Sequence, residues 1–85
     1  MSQYIYKNTD DTIRIAIIDR DTSFGKEWDF DVFDKATRSV STESQTSGDL
    51  FRTKAEAKAA VITRFGQVKS INPKVTVTNG WENWQ

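Results

Sequence analysis

The sequence predicts an α+β fold: a small antiparallel β-sheet of about four to five strands with one α-helix packed on one face, in the order βββ(β)αβ(β). Three observations carry this expectation. Residues 26–35, Lys-Glu-Trp-Asp-Phe-Asp-Val-Phe-Asp-Lys, alternate between apolar and acidic side chains, which is the period of a half-buried strand. Residues 53–68 open with a capping signature and continue with apolar residues at helical spacing. Asn79-Gly80, the preferred pair for a two-residue hairpin turn, separates two short runs near the end.

The elements follow in order. Tyr4-Ile5-Tyr6 is short and β-prone. Asn8-Thr9-Asp10-Asp11 reads as a turn, because Asn and Asp side chains bond their own backbone there. Thr12 to Asp19 reads as a strand with Ile13, Ile15 and Ile17 on one face. Ala16 and Ile18 add apolar atoms on the other face, as expected of a central strand covered at least partly on both sides. Arg20-Asp21-Thr22-Ser23-Phe24-Gly25 reads as a loop. In the next strand Trp28, Phe30 and Val32 point one way and Glu27, Asp29 and Asp31 the other. Asp34-Lys35-Ala36-Thr37 is a tight turn, and Arg38 to about Gln45 an edge strand with a thin inward face of Val40 and Thr42.

A loop of breakers, Thr46-Ser47-Gly48-Asp49, precedes the helix. Thr53 and Glu56 have the spacing that satisfies two orphan amides reciprocally. Ala57, Ala60, Val61, Phe65 and Val68 form the apolar stripe, with Gly66 loosening the last turn and Asn72-Pro73 ending the helix. Lys74 to Thr78 alternates as a strand, and Trp81 to Gln85 is a return strand or a tail. The expected core is Ile13, Ile15, Ile17, Trp28, Phe30, Val32, Val61, Phe65, Val75 and Val77, with Phe51 closing one end of the helix–sheet seam.

Eighty-five residues make a single domain, 1–85, near the lower limit for folding without staples. The chain has no cysteine and no histidine. The first absence removes disulfides and thiolate metal sites, and the second removes the commonest general base and metal ligand. A Ser-His or Cys-His nucleophile is excluded, and carboxylate catalysis needs a pocket that so small a domain rarely encloses. No enzyme, cofactor or metal is therefore expected. Asp10-Asp11 and Asp19-Arg20-Asp21 lack the dense oxygen ligands and fixed glycine of a calcium loop and read as turn residues. The longest apolar run, Ile15-Ala16-Ile17-Ile18, is too short to span a bilayer, and Met1-Ser2-Gln3-Tyr4 lacks the profile of a secretion signal. No membrane association and a cytoplasmic location are expected.

Net charge is zero, yet residues 1–50 carry six Lys/Arg against ten Asp/Glu, and residues 51–85 carry six against two. Such asymmetry marks an interaction surface, or basic helix side chains that lie over an acidic sheet edge or simply face water. Glu27, Asp29 and Asp31 stand about 6.6–6.8 Å apart along one strand face, a row suited to steering association with a basic surface. Trp81 and Trp84 lie in a polar segment and would either fold back or anchor a partner, since Trp is enriched in interface hot spots. The leading expectation is a small non-enzymatic protein-binding module. It would be a regulator or inhibitor of the kind encoded by phages and mobile elements, occluding a basic, for example nucleic-acid-binding, surface with Glu27, Asp29, Asp31, Trp81 and Trp84. The alternative is a nucleic-acid-binding domain using the basic helix 53–69 through Arg52, Lys54, Lys58 and Arg64. A third expectation is a homo-oligomer formed through strand 38–45.

The segment Phe51-Arg52-Thr53-Lys54-Ala55-Glu56-Ala57, following three candidate strands, locally resembles the strand-to-helix junction of the arm-type DNA-binding domains of tyrosine recombinases. The resemblance covers about residues 26–69 and implies a three-stranded sheet entering the major groove with one helix behind it. Here the sheet face that would meet DNA carries Glu27, Asp29 and Asp31, which phosphates repel. No DNA-contacting residue is carried over.

Overall fold

A computed structural model of the protein describes residues 3–71. The strand expected over 74–78, the Asn79-Gly80 turn, the core positions Val75 and Val77, and Trp81 and Trp84 lie outside the described residues. The described chain runs β1 (Gln3–Asn8), β2 (Ile13–Thr22), β3 (Gly25–Asp34), β4 (Ser39–Thr42), α1 (Glu43–Ser47), α2 (Lys54–Phe65) and β5 (Val68–Ile71). The five strands form one antiparallel sheet in the order β4-β3-β2-β1-β5. The architecture is the expected α+β, with a second, short helix added.

Strand alternation sorts the side chains into two layers. Under α2 lies a cluster of Tyr6, Ile15, Ile17, Phe30, Val32, Ala57 and Val61, with Ile13, Trp28, Phe51, Ala60, Phe65 and Val68 packed against it. The Phe51 ring stacks on Phe30 with centroids 6.0 Å apart, so Phe51 closes the seam as its sequence position suggests. The opposite face holds Ile5, Ala16 and Phe33, with Ile71 beside them. Burial of Ile15, Ala16, Ile17 and Ile18 in succession places β2 at the centre, covered on both faces.

The first turns form as their Asn and Asp residues dictate. Asn8 accepts the amides of Thr12 and Ile13 on its side-chain oxygen, at 2.9 and 3.1 Å. Asp34 accepts those of Ala36 and Thr37, at 2.9 and 3.4 Å. In the cap of α2, Thr53 Oγ1 accepts the amide of Glu56 at 3.1 Å. Glu56 reaches back to the amide of Arg52, one residue before the cap, at 3.2 Å.

Three segments differ from expectation. The loop expected over 20–25 is mostly strand: β2 and β3 stay paired out to Thr22 and Gly25, leaving Ser23-Phe24 as a two-residue turn. The edge strand expected over 38–45 stops at Thr42, and residues 43–47 are helical. Thr42 pairs with Asp31 and Phe51 bridges Trp28, so β3 advances three residues while the returning chain uses nine. The surplus coils into α1. Finally, the helix ends at Phe65 rather than near residue 69. Gly66 adopts φ +83 and ψ −162 as its amide closes on the Ile62 carbonyl. That break frees the β-prone Val68–Ile71 to pair with β1, so Val68 packs on the core from a strand and the helix ends at Phe65, before the expected Asn72-Pro73 stop, which lies outside the described residues.

Candidate functional site

The acidic row on β3 is not the open ladder that alternation alone suggests. Asp29 is fully buried, at 0% exposure. Its Oδ1 accepts the amides of Phe30 at 2.8 Å and Ser44 at 3.1 Å. Its Oδ2 accepts the Ser44 hydroxyl at 2.6 Å and Arg20 Nε at 3.2 Å. The physical reason is the surplus chain at the sheet edge. α1 has no side-chain cap of its own; the Thr42 hydroxyl is turned to the sheet, where it donates to Asp31 Oδ1 at 2.8 Å. Asp29 takes the place of that cap, where the helix N-terminus favours an anion. Arg20 stands opposite Glu27 on β2 and supplies the countercharge.

Asp31 is half-buried. Burial pushes its carboxyl above the ordinary range and the Asp29 charge adds to this; the Thr42 hydrogen bond and the Arg20 charge oppose it. Glu27, also half-buried, lies 3.2 Å from the Thr22 hydroxyl. The three acids therefore organise the chain's own edge, and Asp29 is withdrawn from any docking surface.

The structure brings forward a site that sequence patterning passed over. Phe24, at the tip of the β2–β3 hairpin, is 91% exposed. The tip is well defined. The Thr22 hydroxyl accepts the Phe24 amide at 3.1 Å. Its single proton is shared between the Gly25 carbonyl at 2.9 Å and the Glu27 carboxylate at 3.2 Å. Gly25 adopts φ +105, a conformation a side chain rarely takes. Behind the tip, Phe24, Lys26, Glu27 and Arg52 line a groove of about 390 Å³. Lys26 pairs with Asp19 at 3.3 Å. Residues 19–22, Asp-Arg-Asp-Thr, carry no apolar alternation, so the extension of the hairpin that puts an aromatic at its turn is set by pairing with β3.

The basic set separates into individual roles. Lys54 Nζ sits 3.4 Å from the centroid of the Tyr4 ring, and that ring lies 6.0 Å from Trp28. Lys58 Nζ lies 5.4 Å from the Tyr6 ring. Arg64 pairs with Glu43 across from α2 to α1. Cations near the start of α2, disfavoured by the helix dipole, are thus held over aromatic faces. Arg52 alone of the four expected phosphate contacts lines the groove.

No group of three His, Cys, Asp or Glu side chains able to hold a metal ion occurs among the described residues. Among them, no helix is long and apolar enough to cross a membrane. Comparison of the chain with protein-family models, with curated proteins and with solved structures finds no match.

Proposed function

We propose that the chain is a non-enzymatic protein-binding module whose contact surface is the β2–β3 hairpin tip and the groove behind it. The observation that carries this reading is Phe24: a large aromatic side chain, 91% exposed, on a turn fixed by hydrogen bonds. A rigid aromatic loses little conformational freedom on docking and gains its full area, and aromatic residues, Phe among them, and Arg are enriched at interfaces. The partner on this reading brings an apolar pocket for Phe24 and a carboxylate for Arg52. A regulator that acts by occlusion fits the small size, and Glu27 at the groove retains a role toward a basic group.

The test places a photo-crosslinking phenylalanine analogue at position 24, with Thr37, exposed on another turn, as the control position. A partner captured from position 24 alone is then titrated against the wild type, Phe24→Ser and Arg52→Ala. Affinity is expected to fall at least about tenfold in Phe24→Ser, the loss of a hot-spot side chain. Equal affinity for wild type and Phe24→Ser would remove this surface from the proposal.

A further inference from the structure

We infer that the outer edge of β4 pairs with β4 of a second copy of this chain, antiparallel, about a two-fold axis at Val40. β4 closes the described sheet on one side. Natural edges are guarded by shortness, charge, proline or bulges; Ser39-Val40-Ser41-Thr42 is short but has no charged residue and no proline. Val40 is 50% exposed.

The backbone direction follows from the neighbouring pair. Trp28 and Phe51 exchange both backbone hydrogen bonds, at 2.7 and 2.8 Å. Even-numbered residues of β3 therefore aim their backbone groups at this edge. Because antiparallel pairs alternate, Val32–Ser41 and Asp34–Ser39 are the bonded pairs, and the amide and carbonyl of Val40 turn outward.

Symmetry then selects the register. Opposed residues in a sheet point to the same face, so a two-fold normal to the sheet must bring one residue opposite its own copy. Val40 meets this condition and aims both backbone groups across the axis. In this register Ser39 faces Ser41 of the second copy, so no charged residues meet within the paired strands. The apolar Val40 pair lies at the centre on the Phe33 side of the sheet. The occupant is a second copy because this edge is complementary to itself. The inference is independent of the hairpin-tip reading, since Phe24 lies on the β2–β3 turn and takes no part in this register.

Sedimentation of the full chain between about 10 µM and about 1 mM spans the range where so short an interface is half-formed. The mass is expected to rise toward twice the monomer value, and Val40→Lys to remain monomeric throughout. The chain lacks cysteine, so single thiols report the register. Val40→Cys should be trapped as a disulfide dimer at least about fivefold more readily than Ser41→Cys, whose two copies stand beyond bridging distance. A wild-type mass that stays monomeric across the range, or Ser41→Cys trapped as readily as Val40→Cys, overturns the proposal.

Discussion

Asp29 shows how one residue can be read correctly for its strand and still not for its surroundings. A buried carboxylate persists only when a countercharge and donors replace its water, and Arg20, Ser44 and the Phe30 amide do so. Ser44→Ala removes the 2.6 Å hydroxyl donor from a buried charge. The expected loss is about 1.5–3 kcal/mol, seen as a lower urea midpoint at unchanged slope. Ser41→Ala, at an exposed edge position, should stay within about 0.5 kcal/mol. Asp31 gives a pH-dependent prediction. Its carboxyl holds a proton more readily in the folded state than in the unfolded chain. That contribution to stability is fully present below the unfolded carboxylate pKa and is lost as pH rises through the raised folded value. Asp31→Asn keeps an acceptor for Thr42 and cannot ionise. It should therefore be more stable than the wild type near about pH 7, with the gain shrinking toward about pH 3. Urea midpoints across that range that show a constant or reversed difference would refute the assignment.

At the scale of elements, the helices owe their ends to single residues. Thr53→Ala should cost about 1 kcal/mol, because the Glu56 amide loses its acceptor. Gly66→Ala should cost about 1–3 kcal/mol through the backbone alone, since φ +83 with ψ −162 is a conformation essentially reserved for glycine and a Cβ there meets nothing within 4 Å. Thermal unfolding followed by circular dichroism measures both. The contrast between α1 and α2 is instructive. α2 carries its own cap and an apolar stripe, so it is legible from residue types. α1 buries no residue and has no side-chain cap. It forms because the chain from Thr42 to Phe51 is longer than the gap it closes, and because Asp29 holds its first turn.

Across the whole molecule, the proposed contact surface and the core occupy different places. The two apolar layers sit on either side of β2, whereas Phe24 stands at the far end of the β2–β3 hairpin. Phe24→Ser should accordingly leave the denaturation midpoint within about 0.5 kcal/mol of the wild type while lowering affinity for the captured partner at least about tenfold. A marked loss of stability would place Phe24 in the fold rather than on a contact surface. The opposite charges of the two halves of the sequence meet in the Arg64–Glu43 pair. An exposed pair of this kind contributes at most about 1 kcal/mol.

Residue order alone determined the α+β class, the faces of β2 and β3, the Asn8 and Asp34 turns and the start of α2, because each rests on contacts within a few residues or on strand period. It read the sheet positions of Ile15, Ile17, Phe30 and Val32 but not the fate of Glu27, Asp29 and Asp31, since alternation assigns a side chain to a face without saying what else arrives there. Only the tertiary structure decided that α1 and Arg20 close over Asp29, that Val68–Ile71 joins β1 instead of prolonging a helix, and that Phe24 is left standing in solvent. Each of these depends on where a distant segment is delivered by the sheet's register.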